Sequence, residues 1–370
     1  MSETIAVPED LLAREAALRA RSGALRMRDA AQALGVPEAA LLEARRANGA
    51  AERLARPEAA EGFGAVLRRL PEVGEVMSLT RNAACVHELV GRFAPPAIEG
   101  AMGQVVGEID LRLFLRHWVF GYALDEETRS GRRRSLQFFD RSGTAVSKVH
   151  ATDATDHAAF EAIVADFADP GAAAAGFLPA ALPAAERPDA EADVAGLVAA
   201  WEALAHTHEF FQLLRRFDVT RAQAMRLVGT ERARRVPPGA MRDLLEGAAA
   251  AKLPVMVFVG NPGCLQIHSG PVARVETVGP WLNVLDPHFN LHLRTDRVAG
   301  AWVVRKPSVN GEIHALELYD GAGEIACQLF GHRAAGDTER PDWRALVTGL
   351  PGALGSAPGT KGFAAGITDL

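Results

Sequence analysis

Hydrophobic positions along the chain change period twice, in the same order each time. From residue 9 to about residue 60 they recur every three or four positions, as helices require, and from Val76 they alternate or run in short apolar blocks, as strands do. DLLAREAALRAR, MRDAAQALG and PEAALLEARRA predict three helices. The last two are split by Gly35-Val36-Pro37, where Gly ends one helix and Pro suits the first turn of the next. VMSLTRNAACVHELVGRF, EIDLRLFLRHWVFGYALDEE and RRSLQFFDRSGTAVSKVHA predict successive strands. Leu111, Leu113 and Leu115 alternate with Arg112, Phe114 and Arg116, and Asp140-Arg141-Ser142-Gly143 marks a tight hairpin turn. A helix over residues 157–167 closes the first set.

Residues 169–196 are rich in Ala, Pro and Gly and predict an interdomain linker. Helices return after it, and from Val255 a second set of strands follows. The two strand sets are copies. Val76-Met77, Asn82 and Cys85 match Val255-Met256, Asn261 and Cys264 at an offset of 179 (255 − 76). Ile109–Leu113 matches Phe289–Leu293, and Leu136–Asp140 with Gly143 matches Leu316–Asp320 with Gly323, both at 180 (289 − 109; 316 − 136). An offset this steady through strands and turns signals internal duplication. The expected fold is α+β, a tandem duplication in which each half is a large, mainly antiparallel sheet with helical hairpins. The expected boundaries are residues 1–168 for the N-terminal repeat, 169–196 for the linker, 197–350 for the C-terminal repeat and 351–370 for a flexible tail.

The segment WEALAHTHEFFQLLRRF, Trp201 to Phe217, reads as one amphipathic helix with Trp201, Leu204, His208 and Phe211 on an apolar stripe. His206 lies about 200° away at roughly 100° per residue. A neutral imidazole among aromatics on a rigid element suits iron, though the same pattern fits a core histidine satisfied by a hydrogen bond. The first copy offers no counterpart to this helix at its head.

Composition narrows the classes. Hydrophobic residues are 48% and charged residues 23%, which is ordinary for a globular chain. The net charge of −6 argues against a dedicated nucleic-acid binder, although the Gly35-Val36-Pro37 helix pair has the outline of a helix-turn-helix. Cys85, Cys264 and Cys327, with no CxxC among them, suit reduced thiols. The acidic N-terminal stretch lacks the basic start and apolar core of a signal peptide, and no run of about 18 apolar residues is present. The expected setting is cytoplasmic, without membrane insertion.

No phosphate-binding glycine loop, HExxH, GxSxG or paired-carboxylate signature is present. The differences between the copies carry more. Arg112 is replaced by His292 in the second copy (292 − 112 = 180). If the linker lets the second copy's first helix reach the first copy's sheet, His208 and Arg112 face one interdomain cleft, a usual place for a large planar ligand.

These residues resemble the HemS/ChuS/PhuS/HmuS family of cytoplasmic haem-binding proteins, the haemin-degrading factors. The resemblance covers nearly the whole chain and rests on GEIDLRLFLRHW, RRSLQFFD, HEFFQLLRR, LPVMVFVGNPGCLQIHSG and NLHLRTDRVAGAWVVRKP, in order. It implies that His208 is the axial ligand of haem iron, with Arg112 on the opposite haem face and Phe114 beside it. It implies that Arg221, Lys306 and Arg333 belong to the basic lining of the pocket. Phe330 stands where some relatives carry Tyr, so a hydroxyl contact to the ligand is missing here. His206 adds a second imidazole, an alternative ligand during haem transfer. The implied fold is two stacked antiparallel sheets with helical hairpins and haem (iron protoporphyrin IX) between the halves.

The expected function is intracellular haem trafficking or degradation after uptake, between a haem importer on the cytoplasmic side and a downstream haem oxygenase. Neutral His208 would bind the iron, Arg112 would place donors over the other face, and Lys or Arg groups would pair with the propionates. A carrier and an oxygenase-like enzyme need the same pocket, so the residues leave that choice open. Two other readings remain: a DNA-binding regulator using the helical pairs, and a ligand-free scaffold. Cys85 and Cys264 hold equivalent strand positions and read as packing residues. Each half, with its own sheet, would then be a unit able to fold alone.

Overall fold

The computed structural model describes residues 4–23, 25–128, 131–183, 185–206, 209–334 and 336–353. The first half supplies β1 (Ala51–Leu54), β2 (Gly74–Arg81), β3 (Cys85–Arg92), β4 (Ala97–Glu99), β5 (Met102–Val105), β6 (Asp110–Phe114), β7 (Phe120–Thr128), β8 (Gly131–Phe139) and β9 (Ala145–Thr155). The second supplies β10 (Ala233–Val236), β11 (Val255–Asn261), β12 (Cys264–Gly270), β13 (Val275–Val278), β14 (Trp281–Leu285), β15 (Phe289–Arg294), β16 (Val298–Ser308), β17 (Gly311–Asp320) and β18 (Ile325–Gly331).

The halves exchange strands. One nine-stranded sheet runs β1-β7-β8-β9-β2-β3-β15-β14-β13, and the other β10-β16-β17-β18-β11-β12-β6-β5-β4. All named pairings are antiparallel, and each sheet takes six strands from one half and three from the other. The exchange runs through β3–β15 and β12–β6, where Cys85 pairs with Leu293 and Cys264 with Leu113. The two antiparallel sheets and the duplication agree with the sequence reading. The private sheet expected for each half does not exist, because an offset detects copies but not which copy a strand pairs with.

The alternating residues explain the layers. Val76, Leu89, Leu111, Leu113, Val257, Val259, Leu316 and Leu329 point inward and form the main core between the sheets. In that core Gln266 Oε1 accepts hydrogen bonds from Ser78 Oγ (3.0 Å) and Thr80 Oγ1 (3.1 Å), and its amide lies 3.0 Å from His87 Nδ1. At the hairpin turns, Asn82 Nδ2 donates to Gly260 O (3.1 Å) and Ala326 O (2.9 Å). Asn261 Nδ2 donates to the equivalent carbonyls of the other half, Arg81 O (3.0 Å) and Val146 O (2.8 Å). The two turns clasp each other about a pseudo-twofold axis.

Helices α4 (Gly64–Leu67), α5 (His157–Phe167), α9 (Ala240–Ala250) and α10 (Pro341–Thr348) pack against the main core, and two helical triplets cover the outer faces. α1 (Leu11–Ser22), α2 (Met27–Leu34) and α3 (Glu38–Arg46) pack on Tyr122 and Phe139 of the first sheet. α6 (Val194–Glu202), α7 (Phe210–Phe217) and α8 (Arg221–Leu227) pack on Trp302, Val304 and Tyr319 of the second. These triplets match at an offset of 183 (194 − 11; 210 − 27; 221 − 38), so the first copy does have a counterpart to the helical head. The linker is not loose throughout: Phe177 is buried against Phe120, and its backbone pairs with Ile5.

Candidate functional site

The single helix expected over Trp201–Phe217 is two helices. α6 ends at Glu202, and Glu209 Oε2 accepts the amides of Ala205 and His206 (both 3.1 Å), which takes them out of a helical ladder. The interruption resets the phase. Phe210, Leu213 and Leu214 are buried, whereas Phe211, expected on the apolar stripe, is 66% exposed. His206 sits exposed in the turn, its carbonyl accepting from Glu209 N at 3.0 Å. His208 lies outside the described residues, two positions before the start of α7.

The other candidate residues fall mostly on one surface, the outer face of the second sheet. Strand alternation sends Arg112 and Phe114 to this face, and strand exchange carries them there from the first half. Arg112 pairs with Leu265 on β12, Leu265 with Gly260 on β11, and Phe258 on β11 with Gln328 on β18. Phe330 pairs with Met256 and packs edge-on to Phe258, with ring centroids 5.0 Å apart. Arg112 is held by the Asp110 carboxylate and donates to Leu111 O at 3.1 Å. It lies on the second sheet, not on the first copy's sheet as the linker argument expected.

At the other side of this face, Glu317 is fully buried and gathers five donors. Arg221 Nε donates to Oε2 (2.9 Å) and Nη2 to Oε1 (2.6 Å). Lys306 Nζ and Gln328 Nε2 donate to Oε1 (2.6 and 3.2 Å), and Tyr319 Oη donates to Oε2 (2.6 Å). Burial works to raise the Glu317 pKa, but Arg221 and Lys306 outweigh it and hold the carboxylate well below its usual range. Burial pushes the Lys306 ammonium down to about 8, with Glu317 opposing and Arg221 adding to the fall. Both cations lie over the Phe210 ring, Lys306 Nζ at 4.3 Å and the Arg221 guanidinium at 4.9 Å. Arg333 lies two residues beyond β18, partly buried and outside this cluster.

A cavity of about 870 Å³ opens where the second sheet's outer face meets α2 and α3. Phe258, Leu265 and Gln328 form one wall, and Arg28, Glu38 and Arg81 part of the other. The volume lies in the range of sites that enclose sizeable organic ligands. Sequence reasoning missed Glu317, Tyr319, Phe258 and Gln328. The signal for Glu317 was an acidic residue inside the apolar strand IHALELYD, on the same strand face as Tyr319.

The arrangement defines a class: a duplicated, strand-exchanged two-sheet protein with one composite site of aromatic and cationic groups drawn from both halves. Residues 35–167 and 218–350 each match the family model described as "Haemin-degrading HemS.ChuX domain". The chain is 39% identical over 325 residues to the hemin transport protein HmuS of Yersinia pestis, covering 87% of this chain and 92% of that one. It superimposes on the crystal structure of holo-PhuS, a heme-binding protein from Pseudomonas aeruginosa, with a TM-score of 0.89 at 43% identity, covering 94% and 99% of the two chains. The structure of ChuS, described as an E. coli heme oxygenase, matches with a TM-score of 0.81 at 36% identity, covering 92% and 99%. The chain belongs to the haemin-degrading HemS/ChuX family.

Proposed function

We propose that the chain binds haem on the outer face of the second sheet and serves haem trafficking or degradation. The observation that carries this reading is the delivery of Arg112 and Phe114 by β6, a strand of the first half, onto the face bearing Phe258, Phe330 and the Arg221–Lys306 cluster. An apolar, aromatic wall with cations at its margins is the donor set that a flat macrocycle with two carboxylates requires. In this reading His208 would hold the iron, Arg112 would place its guanidinium against the macrocycle, and Arg221, Lys306 and Arg333 would pair with its carboxylates. His206, on the same connection, is an alternative ligand during transfer.

Haem, when bound, supplies an iron centre able to exchange ligands and carry redox chemistry. The chain's own residues bind, orient and exclude water. Phe258 and Phe330 keep the sheet side dry, and Asp110 steers the Arg112 guanidinium. Among the described residues no helix is long and apolar enough to cross a membrane. We place the protein in the cytoplasm, receiving haem from an importer and passing it to, or acting as, a haem-degrading enzyme.

The test is a titration of purified protein with hemin. A saturable one-to-one Soret shift is expected, lost or much weakened in His208→Ala. A His208→Ala variant with the wild-type spectrum, alongside a His206→Ala variant that loses it, moves the ligand by two residues. The absence of any saturable shift ends the haem reading.

A further inference from the structure

The Glu317 cluster does more than neutralise charge. Removing a carboxylate, a guanidinium and an ammonium from water costs several kcal/mol per ion, and their mutual attraction in the interior returns little net stability. What five converging donors provide is geometry: each pins Glu317, and Glu317 in turn pins Arg221 and Lys306. Those two cations sit over Phe210, whose ring also meets Trp201 edge-on at 4.9 Å and 83°. Trp201 is itself fixed by its Nε1 donating to Arg305 O at 2.9 Å. Phe210 is the first residue of α7, and residue 208 is two positions before it.

We propose that Glu317 is a positioning residue of the haem site, which by holding Arg221 and Lys306 over Phe210 fixes the start of α7 and the cations of the pocket. The proposal rests on His208 being the iron ligand. Glu317 takes Nε and Nη2 of Arg221 together, which fixes the plane of the guanidinium. The equivalent position in the first half is Gln137 (317 − 180), an uncharged residue that cannot hold two cations in this way. A sheet-borne carboxylate at this position belongs to the second face.

The experiment compares hemin complexes of the wild type, Glu317→Gln, Glu317→Ala and Tyr319→Phe, each read by its Soret spectrum and by transfer of haem to apomyoglobin. Glu317→Gln keeps the volume and removes the charge. It should give a mixed spectrum and release haem about tenfold faster or more, the scale set by losing hydrogen bonds to a charged group. Formate, admitted to the hole in Glu317→Ala, should slow release in that variant and leave the wild type unchanged, a rescue that mere packing would not produce. Tyr319→Phe keeps both ion pairs and drops one donor, so it guards against a Glu317 variant that fails to fold. It should accelerate release by about twofold to fivefold.

Unchanged spectra and release rates in Glu317→Gln or, should that variant not fold, in Tyr319→Phe overturn the proposal, as does a Glu317→Ala variant indifferent to formate. His208→Ala run in parallel separates the two readings. A wild-type spectrum there removes the ligand assignment on which the proposal rests. Loss of the spectrum there, with Glu317→Gln unaltered, removes only the role of Glu317.

Discussion

Cutting the chain in the linker and expressing residues 186–370 alone tests the strand exchange directly. Intact, the second half's share of the inter-sheet core includes Val255, Val257, Val259, Leu291, Leu293, Leu316, Leu318 and Leu329, all fully buried. Without the first half these eight lose the facing sheet, β12 loses its neighbour β6, and β15 loses β3. At about 1.5–3 kcal/mol per buried side chain, complete exposure costs roughly 12–24 kcal/mol, an upper bound. Half of that, roughly 6–12 kcal/mol, already matches the whole stability of an ordinary domain. A monomeric isolated half is therefore expected to lack near-ultraviolet circular dichroism and to unfold without a cooperative transition. Two copies can in principle restore the sandwich by reciprocal exchange, and the mark of that is a melting temperature that rises with protein concentration. Sedimentation and urea titration at several concentrations decide it. A monomer that unfolds cooperatively, independent of concentration, refutes the reasoning and restores the picture of two autonomous halves.

Three further outcomes follow from the same contacts. Asn82→Ala and Asn261→Ala each strand buried carbonyls and turn amides, and each should cost about 1–3 kcal/mol in urea unfolding, with near-equal losses because the clasps are equivalent. A loss confined to one of them would show that the pseudo-symmetry is not energetic. His87, which burial and His268 push down to about 3, stays neutral in the native core while its unfolded counterpart protonates near 6.5. Stability should therefore fall as pH drops below about 6.5, by about 1.4 kcal/mol per pH unit from this residue, and His87→Gln should flatten the slope between pH 6 and 4 by about that amount; an unchanged slope counts against it. Gly331→Ala would place a Cβ 2.4 Å from the Trp343 ring and should lower stability by about 1–3 kcal/mol, measured by thermal melting; a neutral effect would mean that α10 (Pro341–Thr348) moves freely.

Much of the fold was legible because side-chain period and copy offset are local properties. The three leading helices, the helix at His157–Phe167, the Asp140–Gly143 turn and the strand series all follow from spacing, as does the duplication. Strand partnership was not legible, since β6 carries the same alternation whether it pairs within its half or across to β12. The helical phase failed at Phe211 for a related reason. Periodicity assumes an unbroken helix, and the side chain of Glu209 ends that continuity by capturing two amides. In the candidate site, Arg112 stood out as a difference between copies, whereas Glu317 was hidden inside a matched block. A carboxylate in an apolar strand acquires meaning only when Arg221 from α8 and Lys306 from β16 converge on it.

Strand exchange also explains why the duplication yields one differentiated face rather than two equal ones. Each outer face is composite, its far edge contributed by the other half, so equivalent residues of the two copies fall on different faces and can diverge independently. On the second face a strand position holds Arg112, the buried carboxylate Glu317 binds two cations, and His208 precedes α7 by two positions in the sequence. On the first face the equivalent positions are Leu25 (208 − 183), His292 (112 + 180) and Gln137 (317 − 180). His292 there is occupied with Asn283, its Nδ1 2.7 Å from Oδ1, and with Glu88 at 4.0 Å. The carboxylate of the first face is on the helix instead. Glu38 of α3, at the position of Arg221, takes Lys148 Nζ at 2.6 Å and Arg81 Nη2 at 2.9 Å. The same layered scaffold thus carries its buried negative charge on the sheet in one half and on the helix in the other. The sheet-borne version gathers one cation from the helix layer, Arg221, and one from the sheet, Lys306, over Phe210 at the start of α7, the margin at which the proposed anionic macrocycle would need them.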